Sequence, residues 1–100
     1  MLVTLTEVYK DSRGQSLKNY KPKYTLRSVV VNPEHVMYIR EETSTLDLLH
    51  EGLLPEGIDS RARFSRVTVD RPSSADLIIV GSPEQIQEKL ILSRKKMLKG

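Results

Sequence analysis

The chain has no cysteine, no tryptophan, one phenylalanine and two histidines in 100 residues. Each shortage removes a class of chemistry. Without cysteine there is no disulfide framework, thiolate zinc site or thiol nucleophile. His35 and His50 do not suffice for a His-rich metal site. No apolar run approaches the roughly 20 residues that span a bilayer as a helix. The start, Met1-Leu2-Val3-Thr4-Leu5-Thr6-Glu7, lacks a basic segment ahead of a long apolar stretch, so no signal peptide is visible. The length suits one domain rather than a two-lobed enzyme. The expectation is a single soluble domain over residues 1–100, cytoplasmic, without cofactor, metal or membrane contact.

What is present is charge, unevenly placed. Residues 10–27 hold six basic groups against Asp11 alone, a net +5. Residues 34–59 hold seven acidic groups against Arg40 alone, a net −6. Residues 60–81 carry a net +2 and residues 82–100 a net +3. Single-sign blocks act over about 8–10 Å in physiological salt. Blocks of opposite sign pair within one chain or between copies.

Five stretches carry a strand pattern. Leu2–Lys10 puts Leu2, Thr4, Thr6 and Val8 on one face and Val3, Leu5, Glu7 and Tyr9 on the other, with β-branched residues prominent. Asp11-Ser12-Arg13-Gly14 signals a turn. The polar, basic stretch 10–24 is a loop or a mobile arm. Tyr24–Val31 is the second strand; its run Val29-Val30-Val31 suggests cover on both faces. Asn32-Pro33-Glu34 turns the chain into His35–Glu41, with Val36, Tyr38 and Arg40 opposite Met37, Ile39 and Glu41. Phe64–Asp70 is the fourth strand. Arg71-Pro72-Ser73-Ser74 is a turn, and Asp76–Val80 is a fifth strand, central because Leu77-Ile78-Ile79-Val80 is apolar throughout.

Two helices are signalled. Ser44–Gly52 is a short one, with Ser44 as N-cap, Asp47 three residues on and Gly52 as its stop. It sits in an acidic insertion, 42–63, longer than an ordinary connection. Ser82-Pro83-Glu84-Gln85 opens a C-terminal helix over 82–98, with Ser82 as cap, Pro83 at the first position and Gln85 reaching back. Ile86, Leu90, Ile91 and Met97 form its apolar stripe, and Arg94, Lys95, Lys96 and Lys99 gather where the helix dipole favours positive charge. The fold class is therefore α+β: one small domain, an antiparallel sheet of about five strands, a C-terminal amphipathic helix and a long insertion loop. The turns are too short for parallel crossovers. Leu5, Val29, Val31, Ile39, Val67, Leu77 and Ile79 are the expected core. The helix covers one sheet face, which leaves the other as a binding surface or an oligomer interface.

Two landmarks carry a resemblance. One is Asn32-Pro33-Glu34-His35-Val36-Met37-Tyr38-Ile39-Arg40-Glu41. The other is Arg66-Val67-Thr68-Val69, a turn, Leu77-Ile78-Ile79-Val80, then Ser82-Pro83-Glu84-Gln85-Ile86 and a basic helix end. This order resembles the FlbD-like small proteins of bacterial flagellar operons, and small phage proteins of similar layout. The match lies chiefly in residues 29–41 and 64–96. The segments 10–24 and 42–63 have no counterpart in the short flagellar proteins. The resemblance implies a small non-catalytic module encoded by a bacterium or a phage, acting in the bacterial or host cytoplasm.

No catalytic constellation is grouped by spacing. Asp47 and His50 stand three apart on the short helix without further ligands, and Glu41 and Glu42 point to opposite faces of a strand. The glycines form no phosphate-cradling motif. Two binding readings remain. Leu46, Leu48, Leu49, Leu53, Leu54 and Ile58 are many apolar residues for a connection. They either close over the sheet as a flap or form an exposed patch for a protein partner or a second copy. Alternatively, Tyr9, Lys10, Arg13, Lys18, Tyr20, Lys21, Lys23, Tyr24 and Arg27 interleave cations with rings, as single-stranded nucleic-acid binding requires. The first reading, a protein-binding or self-associating regulatory module, is the expected function, with a homo-oligomer as its simplest form.

Overall fold

Alternation along the strands decides the architecture, because residues two apart share a face. The computed structural model describes residues 2–11, 23–55, 57–59, 61–70 and 76–99, and for 11, 23 and 94–99 the backbone only. The turns at 11–14 and 71–74, most of the basic stretch 10–24, and Met97 with the basic helix end fall wholly or partly outside these limits.

Strands β1 (Val3–Asp11), β2 (Lys23–Val31), β3 (Val36–Glu41), β4 (Phe64–Val69) and β5 (Leu77–Val80) form one sheet in the order β2-β1-β5-β4-β3. Every neighbouring pair is antiparallel. Helix α1 (Ser44–His50) lies in the insertion, and α2 (Pro83–Lys99) closes the chain. The fold is thus α+β, with a five-stranded antiparallel sheet and a C-terminal helix. As the apolar run 77–80 indicates, β5 is central. Strand β1 runs on to Asp11 and β2 begins at Lys23, so strand takes both ends of the segment read as a loop.

Two cores lie on opposite sides of the sheet. On the helix face Val3, Leu5, Val31, Val67 and Ile79 are buried with Ile86 of α2, and Val29, Ile39, Leu77 and Leu90 pack around them. Burying a large aliphatic side chain stabilises by about 1.5–3 kcal/mol, so this cluster holds α2 in place. Ile91 departs from the expected stripe and is 45% exposed. Ile86 and Leu90, four apart, aim at the sheet, and Ile91 is turned one helical step, about 100°, out of that line.

On the other face Phe64, Val8 and Leu54 are buried, and Leu46, Leu48, Leu49 and Ile58 pack on them with Ile78 and Val80. The insertion therefore covers the middle of the face expected to be open. Two further expectations change. Val30 is 52% exposed rather than covered, because β2 is an edge strand and the second core touches it only at its start, through Tyr24. The register shifts between Val36 and Tyr38, so Val36 joins Ile39 on the helix face and Met37 takes up the bulge.

The ends of the helices are set locally. Ser82 N–H donates to Gln85 Oε1 at 2.8 Å, and Gln85 N–H donates to Ser82 Oγ at 3.2 Å. This is the reciprocal capping box expected for α2. For α1 the expected cap changes. Ser44 is the first helical residue, Thr43 makes no side-chain cap, and the Glu42 carboxylate takes the Ser44 N–H at 3.2 Å. Gly52 stops α1 as anticipated. Its φ is +73°, Gly52 N–H donates to Leu49 O, and Leu53 N–H donates to Leu48 O. These two bonds make a Schellman motif.

Candidate interaction surface

Five of the six leucine and isoleucine candidates of the insertion, Leu46, Leu48, Leu49, Leu54 and Ile58, come together facing inward; Leu53 is not part of that cluster. Leu54 is buried, while Leu46, Leu48, Leu49, Leu53 and Ile58 are half-buried. The five clustered residues form a flap on Phe64. What fixes the flap is polar. Glu42, 8% exposed at the end of β3, accepts through Oε1 from both the Ser44 amide and the Ser44 hydroxyl. Its Oε2 accepts from Arg66 Nε of β4 at 2.8 Å. Arg66 also lies 3.5 Å from Asp76, which accepts from the Thr68 hydroxyl at 3.0 Å. The Ser44 hydroxyl, then Arg66, hold the Glu42 carboxyl below the ordinary carboxylate value against the opposing effect of burial.

Glu41 turns the other way, as its alternation with Glu42 required. It accepts from Arg63, which also approaches Glu84 in the first turn of α2 at 3.8 Å. That hydrogen bond holds the Glu41 carboxyl low. Glu41, Glu42 and Asp59, three of the seven acidic residues of the block, therefore engage arginines of the same chain, which reduces the charge the block has for a second copy.

The nucleic-acid candidates are divided. Residues Arg13, Lys18, Tyr20 and Lys21 lie outside the described residues, as does the Lys23 side chain. Tyr9 and Arg27 share the helix face, while Lys10 and Tyr24 sit opposite one another on the loop face. Arg27 lies 3.7 Å above the Tyr9 ring and donates from Nε to Glu7 Oε1 at 2.8 Å. Tyr24 packs against the second core. Both rings thus have protein contacts of their own, and Arg27 already has an anion. Residue order did not announce Glu7, a buried carboxylate 20 residues from its arginine. The only hint was a glutamate in the inward-facing row of β1.

A cleft of about 350 Å³ opens between the 59–63 segment and the start of α2, lined by Asp59, Arg61, Ala62, Arg63, Ser82 and Gln85. Its polar groups engage one another or Glu41 and Glu84. His35 and His50 are exposed on separate elements. Among the described residues no three His, Cys, Asp or Glu side chains gather to hold a metal ion, and no helix is long and apolar enough to cross a membrane.

The remaining exposed apolar side chains include Leu26 and Val30 on β2, with Leu2 close by beyond Val3. Strand β2 is an edge of the sheet. Beyond Tyr24 its loop face is exposed through Leu26, Ser28 and Val30, beside the exposed Thr4 and Thr6 of β1.

Comparison with protein-family models, curated proteins and solved structures gives no match for this chain.

Proposed function

We propose that the chain is a small non-catalytic module that acts by protein contact, with the β2 edge of its sheet as the docking element. The observation that carries this reading is an edge strand of nine residues with Leu26 and Val30 exposed on one side. A sheet edge offers a row of backbone donors and acceptors to any extended chain, and apolar side chains beside it add affinity. The insertion leucines serve this reading indirectly, by closing the second core and stiffening the sheet behind the edge. The cytoplasm of a bacterium or of a phage-infected host is the setting that goes with the FlbD-like resemblance.

Size exclusion with light scattering, recorded at 260 and 280 nm, tests the reading. A nucleic-acid-free oligomer, or a monomer that captures a β-strand peptide at β2, supports it. A monomer that co-elutes with nucleic acid and is stripped by salt replaces it with the nucleic-acid reading.

A further inference from the structure

The two edges of the sheet are unlike. Strand β3 is six residues long, carries a register shift next to Met37, and ends in Arg40 and Glu41. Shortness, bulges and charge are the devices by which edges resist further pairing. Strand β2 has none of them in comparable degree. Its nine residues pair with β1 without interruption from Val3↔Val31 to Asp11↔Lys23. It holds no proline. Between Tyr24 and Val31 its one charge is Arg27, which Glu7 of the same chain engages at 2.8 Å.

On the loop face the edge presents Leu26, Ser28 and Val30 in turn. Leu26 is 39% exposed and Val30 52%, and they stand equally far on either side of Ser28. The pattern is a palindrome in polarity. From it we infer that a second copy of this chain pairs antiparallel along β2 about a two-fold axis at Ser28, joining the two five-stranded sheets into one. The inference rests on the self-associating form of the function proposed above.

Register supports the choice of partner. Opposed residues in an antiparallel pair share a face, so the axis moves only by whole residues. With the axis at Ser28, each Leu26 opposes Val30 of the other copy, and each Arg27 opposes Val29. Apolar meets apolar on the loop face, and the arginines stand apart. With the axis at Arg27, like charges sit directly opposite, which destabilises a pair. With the axis at Val29, Leu26 faces Asn32 and Val30 faces Ser28, and both apolar pairs are lost. An axis perpendicular to the sheet also keeps both α2 helices on one side, clear of the joint.

A chain without cysteine allows a register-specific test. Directly opposed strand residues have Cα atoms about 4.5–5.5 Å apart, within the disulfide range of about 4.4–6.8 Å. Mild oxidation of Ser28→Cys is expected to give a covalent dimer. Leu26→Cys alone and Val30→Cys alone are expected to stay monomeric on a non-reducing gel, and their mixture to cross-link. Leu26→Lys is expected to raise the dimer dissociation constant at least about tenfold, with an unchanged circular dichroism spectrum because the site is exposed. A dimer by light scattering in which Ser28→Cys stays reduced, or in which Leu26→Cys cross-links with itself, overturns the β2 pairing and leaves self-association standing. A monomer up to about 1 mM, the weak end of measurable affinity, overturns both.

Discussion

Glu42 shows how much one side chain can organise. Its carboxylate closes the start of α1 and ties that start to β4 through Arg66. Glu42→Ala removes the cap and a charge-assisted bond together, and is expected to lower stability by about 1–2 kcal/mol in urea unfolding. Glu42→Gln keeps an acceptor for Ser44 and is expected to cost less. The two forms also differ in acid. The folded state holds the Glu42 carboxyl below its ordinary value, so the unfolded chain takes up the proton first as pH falls. The stabilisation is complete above the unfolded value and is lost as pH drops through the folded one. Glu41, held low by Arg63, acts in the same direction. Glu42→Gln should therefore show a shallower acid limb than the native chain. Parallel limbs would mean that Glu42 does not carry this dependence. None of this was legible in residue order. Arg66 lies 24 residues from Glu42, and their meeting depends on β3 and β4 being neighbours, which no local pattern states.

At the scale of elements, what was readable is what local chemistry decides. The Ser82–Gln85 box and the stop at Gly52 involve groups within a few residues, and both stand as expected. Ser82→Ala is expected to cost about 1 kcal/mol by loss of the cap. Gly52→Ala is expected to cost about 1–2 kcal/mol, because its φ of +73° disfavours a Cβ although nothing lies within 4 Å of one. Val30 and the insertion were less legible, because burial depends on sheet order. An apolar triplet looks the same on an edge strand as on a central one. The leucines of 42–63 look the same as flap or as patch. Their placement on Phe64 yields an experiment. Leu54→Ala is expected to lower stability by about 2–3 kcal/mol, and Leu48→Asp to destabilise the fold without weakening association at β2. A Leu48→Asp chain as stable as the native one but impaired in association would return the flap to the role of interface.

At the scale of the whole molecule, net charge and charge placement lead to different expectations. Blocks of +5 and −6 along the sequence suggest copies that attract each other head to tail and separate in salt. Folding changes that balance. Glu41 and Glu42 of the acidic block take Arg63 and Arg66 of their own chain, and Arg27 of the basic block takes Glu7. The joint inferred at β2 contains backbone groups, Leu26, Ser28 and Val30, and one arginine whose partner is internal. Screening acts on exposed charges separated by more than about 8–10 Å and has little hold on apolar contact or on ladder hydrogen bonds. The dimer dissociation constant should accordingly change less than about threefold between about 0.05 and about 0.5 M sodium chloride, as measured by sedimentation. Leu26→Lys should weaken it at every salt concentration. An association that loosens tenfold or more over that range, with the native chain and Leu26→Lys alike, would place the contact on the charged blocks and remove it from the sheet edge.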